Sequence, residues 1–261
     1  MTDDHQTIAA DYAVLGVGAL AEAMVVGLSD GRQEPPTIVL SPRGHDRAAR
    51  LSARFANVEI AADNQAAISA GSTVLVCLRP QDAERVLEML SFRPDHRVVS
   101  VMARYPLANV SALVAPASDV VRAIPNPAVA QRQGVTPVFP GGSEADALFT
   151  VLGGALVLSG EHQLVAASVA SAVVATHLAT LQVTSQWLAE HGLSADDSGR
   201  YIASIFVGVG TELRGVTDLE PLVASHATRG GLNERVERTM REAGFFERLY
   251  EALDDLHGSV S

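Results

Sequence analysis

The sequence predicts two regions of different class, an α/β region built on a parallel sheet over residues 1–160 and an all-helical region over 161–261. Three observations predict this. Short β-rich runs alternate with helical stretches from Tyr12 onward, a glycine-rich turn joins the first run to the first helix, and strand-like alternation stops after Gly160. Strands separated by helices require crossover connections, which build a parallel sheet covered on both faces.

The elements follow in order. Tyr12 to Gly16 reads as a strand and Ala19 to Leu28 as a helix; Thr37 to Leu40 and Asp46 to Phe55 repeat the pair. Val58 to Ile60 and a helix near Asn64 to Ala70 come next, then Thr73 to Leu78 with a helix from Gln81 to Leu90, and the strand Val98 to Met102. Further strands are expected at Val120 to Ile124, Thr136 to Phe139 and Ala155 to Leu158, the last at the sheet's edge. Beyond a boundary near Ser159 to Glu161, one helix is expected from His162 to His191, ending at Gly192 and roughly 45 Å long at 1.5 Å per residue. Ser194 is placed to cap the next helix.

Composition narrows the function. Nearly half of the 261 residues are apolar, enough for a substantial core, and the formal net charge of −11 repels polyanions, which argues against a nucleic-acid partner. The single cysteine, Cys77, allows no disulfide framework or cysteine-rich metal site, so no metal is expected and a reducing, cytoplasmic location fits. Met1 to Asp11 lacks the basic start and apolar stretch of a signal peptide and reads as a frayed tail. Leu164 to Leu188 is apolar, but His177, Gln182 and Gln186 interrupt it, so a core helix or a homodimer interface is expected in place of a membrane span.

The chemistry concentrates at strand ends. Gly16-Val17-Gly18-Ala19-Leu20-Ala21 has the G-x-G-x-x-A form between the first strand and first helix. Gly16 permits the tight turn, Gly18 leaves room for a pyrophosphate over the helix N-terminus at Ala19 and Leu20, and Ala21 allows close helix-to-sheet packing. The expected class is therefore an α/β Rossmann-type N-terminal domain with a C-terminal all-helical dimerisation domain. Where an NAD-specific protein would place an acid, the second strand ends in Ser41-Pro42-Arg43. A hydroxyl donor and a guanidinium suit a 2′-phosphate, which favours NADP(H) over NAD(H). Leu78, Arg79 and Pro80 follow the fourth strand, where Arg79 is either a ligand contact or a rim residue and Pro80 either lines the site or starts a helix. Asn126, between Pro125 and Pro127, either holds a nicotinamide or substrate edge or shapes a turn.

Taken in order, these motifs resemble the pyrroline-5-carboxylate reductase family along nearly the whole chain. Gly16 to Met24 is similar to its Gly-x-Gly-x-Met-Ala-x-Ala loop, Arg79-Pro80-Gln81 to its Lys-Pro-Gln, and Ser100-Val101-Met102-Ala103 to its Ser-Ile-Ala-Ala strand, which adds Ala103 to the cofactor contacts. Val121 to Asn126 resembles Val-Arg-x-Met-Pro-Asn, with Gly134-Val135-Thr136 following, and Thr228 to Glu234 resembles Ser-Pro-Gly-Gly-Thr-Thr. The resemblance implies NAD(P)H-dependent reduction of a cyclic imine, as in proline biosynthesis, a helical dimerisation domain and a site shared between subunits. The sequence departs from the family in three places: Ala170 to Thr176 lacks the glycines and proline of a substrate-holding turn, Leu232 and Asn233 replace paired threonines, and Arg104 stands where a glycine is expected.

The cofactor half is thus preserved and the substrate half altered. The expected activity is reduction of the C=N bond of a small cyclic imine carboxylate. The alternatives are a keto-acid or β-hydroxy-acid oxidoreductase and a non-catalytic NADP(H) sensor. Thr228, Gly230, Gly231 and Asn233 would anchor a substrate carboxylate at a helix N-terminus, or merely cap that helix. His177 and Asn233 are the candidate catalytic residues, with His177 alternatively a buried, satisfied histidine and His226 of similar standing.

Overall fold

The structure is a computed structural model that describes residues 10–260. The tail expected over Met1 to Asp11 falls outside these residues as far as position 9; Ala10 and Asp11 already belong to the first strand. The chain forms two compact units that divide between Ser168 and Val169.

The first unit holds eight strands: β1 (Ala10–Leu15), β2 (Ile38–Leu40), β3 (Val58–Ile60), β4 (Gly71–Val76), β5 (Arg97–Ser100), β6 (Asp119–Ala123), β7 (Thr136–Phe139) and β8 (Ala155–Val157). They form one sheet in the order β3-β2-β1-β4-β5-β6-β7-β8, with β8 at the edge where the sequence puts it. All neighbours are parallel except β6 and β7, which pair antiparallel through Arg122 with Phe139 and Ala123 with Val138. The sheet is therefore mixed and not purely parallel. A short 3-10 turn at Pro127–Gln131, too short for a crossover, returns the chain from β6 to β7.

The helices of this unit are α1 (Ala19–Ser29), α2 (His45–Arg54), α3 (Asn64–Ala70), α4 (Ala83–Leu87), α5 (Leu107–Leu113) and α6 (Ser143–Val151). The strand pattern does not call for α5 or α6, and the helix expected over Gln81 to Leu90 begins as a 3-10 turn at Pro80–Asp82 and ends at Leu87. Strand alternation supplies the two cores. Val14 and Leu75 pack with Met24, Leu28 and Phe149 on one face, while Ala13, Leu15, Val74 and Val76 pack with Ile68, Leu87 and Val110 on the other. Side chains such as Met24, Leu75 and Phe149 are fully buried, each stabilising the fold by about 1.5–3 kcal/mol. The start of α1 is fixed from its far end too. A Cβ on Gly27 would meet Val129 O at 2.2 Å, so only glycine lets the Pro127–Gln131 turn lie against the helix, and Arg132 Nε then donates to Gly27 O at 2.8 Å.

α7 (Glu161–Ala170) spans the division between the units, and the second unit continues with α8 (Val173–Glu190), α9 (Ala195–Glu212), α10 (Glu220–His226), α11 (Leu232–Glu242) and α12 (Phe245–Val260). The single helix expected over His162 to His191 is thus two. At the break Ala172 N donates to Val169 O, an i→i+3 bond that tightens the ladder, and Ser171 and Ala172 carry no residue signal that would announce it. Ser194 does cap α9, its Oγ accepting from Asp197 N at 3.1 Å. No residue of α8 is buried, and Val174, Leu178, Val183 and Trp187 are more than half exposed. Glu161–Glu190 is also long and apolar enough, by length and composition alone, to cross a membrane.

Candidate functional site

The strand order reverses between β1 and β4, whose C-terminal ends bound the crevice where open α/β sheets bind ligands. Gly16 sits there at φ +88°, and a Cβ on it would lie 2.9 Å from Cys77 O, so the turn tolerates no side chain. Gly18 caps α1 with open space where its Cβ would be, and no side chain caps the helix. The first N–H spent on the ladder is that of Glu22, donating to Gly18 O at 2.9 Å. The N–H groups of Ala19, Leu20 and Ala21 are left for an anion, with the positive end of the helix dipole behind them.

Two features hold this loop, and one corrects the sequence reading. Ser41 is wholly buried and its Oγ accepts from Gly16 N at 2.9 Å, so it supports the loop from beneath instead of reaching a 2′-phosphate. Gly44, at φ +89° with a would-be Cβ 2.7 Å from Val17 O, lets the segment after β2 fold onto the loop. The sequence reading missed Gly44, although its place immediately before a helix is a usable signal.

Arg43 and Arg79 both project to the crevice and meet at a residue the sequence reading did not single out. Arg43 Nη2 lies 3.1 Å from Asp82 Oδ2, Arg79 Nε and Nη2 at 2.9 and 2.8 Å from the same oxygen, and Arg85 Nη2 2.8 Å from Oδ1. Asp82 is buried. Hydrogen bonds from Arg85 and then Arg79 hold its carboxyl below the ordinary carboxylate range, with Arg43 adding to them against the opposing effect of burial.

Two cavities adjoin here. One of about 350 Å³ is lined by Gly16, Val17, Gly18, Leu78, Arg79 and Arg43; a second of about 470 Å³ is lined by Asn64, Arg85, Val86, Met89 and again Arg43. Pro80 opens the 3-10 turn behind Arg79 and does not line either cavity. Burial of the Cys77 sulfur pushes its thiol up to about 12, which disfavours the thiolate. A glycine turn that excludes Cβ atoms, a helix start without a cap and flanking guanidiniums fit a dinucleotide phosphate chain.

The neighbouring strand ends are less committed. Ala103 is exposed after β5, and Arg104 beside it holds φ +57°, the left-handed conformation of the glycine expected there. Asn126 Oδ1 accepts from Ala128 N at 2.8 Å, which makes it the cap of the Pro127–Gln131 turn. Arg122, almost wholly buried at the end of β6, pairs with Glu161, whose carboxylate also accepts from Leu107 N at 2.7 Å.

In the second unit, Gly231 caps α11, Gly230 takes φ +78°, and Gly231 N donates to Thr228 O at 2.8 Å. The Glu234 carboxylate accepts from Gly230 N at 2.5 Å, and Asn233 Nδ2 donates to His226 O at 3.1 Å. Asn233 therefore ties α11 to the end of α10, and a substrate carboxylate at this helix start would have to displace Glu234. His226 Nε2 lies 2.8 Å from Glu212 Oε2. His177 is exposed on α8, edge-on to Phe206 with ring centroids 5.3 Å apart, which corrects the expectation of a buried histidine. Among the described residues no cluster of three or more His, Cys, Asp or Glu is placed to hold a metal.

Residues 11–104 match the family model described as NADP oxidoreductase, coenzyme F420-dependent. The pyrroline-5-carboxylate reductase of Pseudomonas aeruginosa is 24% identical over 254 residues, covering 93% of this chain and 92% of that protein. Among solved structures, a pyrroline-5-carboxylate reductase from Coxiella burnetii superposes with a TM-score of 0.80 at 18% identity, over 97% of each chain. The Plasmodium falciparum pyrroline carboxylate reductase with NADP bound gives 0.76 at 13% identity, over 96% of this chain and 97% of that one. The chain is thus similar to pyrroline-5-carboxylate reductases over nearly its full length and shares their fold, with the glycine-loop crevice inside the region that matches the NADP oxidoreductase model.

Proposed function

We propose that the chain is an NADPH-dependent reductase of the C=N bond in a small cyclic imine carboxylate, acting in the cytoplasm as a homodimer. The observation that carries the reading is the crevice at β1 and β4, where the Gly16–Gly18 turn offers free helix N–H groups beside Arg43 and Arg79. Gly16, Gly18, Ala19 and Leu20 would hold the pyrophosphate; Arg43 and Arg79 would meet the 2′-phosphate; Leu78 and Ala103 would border the path towards the nicotinamide. When bound, the cofactor supplies the hydride, and the protein's part is to orient the acceptor and exclude water. The backbone around Thr228, Gly230 and Gly231 remains the proposed substrate contact, with Asn233 and Glu234 shaping it. Dimerisation is supported by the apolar side chains exposed along α8, a surface that water solvates poorly.

The test is NADPH oxidation by purified protein, followed by nicotinamide absorbance, with pyrroline-5-carboxylate, other cyclic imine carboxylates and keto acids. Turnover confined to cyclic imines is expected. Turnover of keto acids alone would move the protein to the keto-acid class, and tight NADPH binding with no turnover would make it a sensor.

A further inference from the structure

We infer that Asp82 is a positioning residue for the cofactor's 2′-phosphate: its carboxylate gathers Arg43, Arg79 and Arg85 into one cluster beside the glycine loop and so sets the preference for NADPH over NADH. The inference rests on the NADPH reading above and adds to it a residue that touches no phosphate itself.

The geometry is unusual for three like charges. Arg79 and Arg85 stand three residues before and after Asp82, Arg43 comes from the separate segment after β2, and all three reach the two oxygens of one carboxylate within 3.1 Å. Their side chains are 45%, 67% and 65% exposed, whereas that of Asp82 is 11% exposed, so the fixed partner is the acid and the mobile ones are the bases. Without the carboxylate, mutual repulsion and the freedom of long exposed side chains would disperse the guanidiniums.

Donor accounting shows what remains for a ligand. A guanidinium has five N–H donors. Arg43 spends donors only at Nη2, and Arg79 at Nε and Nη2, which leaves Arg43 Nε and Nη1 and Arg79 Nη1 uncommitted to Asp82. Both residues line the cavity that contains Gly16 and Gly18. Three guanidiniums and one carboxylate leave a net charge of +2, matched to a phosphate monoester of up to −2. Asp82 follows the fourth strand and not the second, where an NAD-specific site places the acid that accepts from a ribose hydroxyl, and both of its oxygens are engaged by arginines.

Simple electrostatics and positioning predict opposite signs, which makes the inference testable. Removing a negative charge near a phosphate should tighten NADPH binding if charge alone matters. If Asp82 works by holding the arginines, Asp82→Asn weakens NADPH binding by about tenfold, the scale of a lost charge-assisted contact, and changes NADH binding by less than about twofold. Dissociation constants for both nucleotides are read by fluorescence titration of the full chain, with unchanged NADH binding as the control for folding. Asp82→Glu, which retains the carboxylate, should keep most of the preference. Should Asp82→Asn fail to fold, Arg85→Lys, which keeps the positive charge but loses the guanidinium contact to Asp82 Oδ1, gives the second reading: a smaller loss in the same direction supports positioning, and an unchanged preference overturns it. A ratio of NADPH to NADH affinity that stays constant or rises in Asp82→Asn overturns the inference while Arg43→Glu still abolishes the preference. A wild-type protein without preference for NADPH overturns the cofactor reading as well.

Discussion

The cofactor site depends on a few atoms whose partners lie far along the chain. Removing the acceptor in Ser41→Ala leaves Gly16 N–H unpaired at a part-buried position, which should cost about 1–3 kcal/mol and loosen the phosphate loop. A lower unfolding midpoint together with weaker binding of both nucleotides checks this, since a pure 2′-phosphate contact would affect NADPH alone. Arg43→Glu should do the latter, lowering NADPH affinity while leaving NADH affinity nearly intact. His96 carries a pH dependence of its own. It is buried with Nδ1 accepting from Arg93 N, and burial, followed by the nearby Arg93 charge, pushes its imidazole below the usual 6.5. The unfolded chain therefore binds the proton more readily, so this contribution to stability is complete above about pH 6.5 and is lost as pH falls from there towards the depressed folded value. Urea midpoints for wild type and His96→Asn should diverge at about pH 7 and converge at about pH 5; parallel curves would contradict it. Gly16, Gly18 and Arg43 were readable because their meaning lies in local order along the chain. Asp82 was legible only in part, because Arg79 and Arg85 stand three residues before and after it, whereas Arg43 joins them only when the segment after β2 folds towards the C-terminal end of β4.

At the scale of elements, the parallel strands were legible from alternation and length, and their packing explains how α1 presents its N-terminus. Gly27 is the tightest point of that packing. Gly27→Ala would drive a methyl to 2.2 Å from Val129 O, a backbone atom that cannot step aside, and should destabilise the protein by about 1–3 kcal/mol despite the better helix propensity of alanine. Thermal unfolding measures the sign; a stabilised variant would mean that the helix and the turn separate freely. Ala145, Leu148, Phe149 and Leu152 recur at helical spacing, so α6 was in the pattern even though strand counting passed over it. The antiparallel β7 and the break before α8 were less visible. The first depends on a turn too short for a crossover, and the second on a change of hydrogen-bond register that Ser171 and Ala172 accept without any distinctive residue.

For the whole molecule, the two units differ in how much the sequence says about them. The α/β unit closes on itself, whereas α8 exposes Val174, Leu178, Val183 and Trp187. Homodimerisation should cover that face, and Trp187→Glu should shift the sedimentation coefficient to that of a monomer while leaving NADPH binding in place; an unchanged dimer would put the interface elsewhere. The acidic chain, at −11, makes a small ligand recognised by a local cluster of arginines the consistent partner. The half proposed to take substrate stays the least legible, because Asn233 and Glu234 are engaged within the helix start and Ala170 to Thr176 carries no glycine or proline to mark a turn. The most direct test of the central claim is the initial rate of NADPH oxidation with a panel of cyclic imine carboxylates that includes pyrroline-5-carboxylate. Saturable turnover of at least one of them, faster with NADPH than with NADH, is expected; tight NADPH binding with no turnover on any imine would rule out the reductase reading.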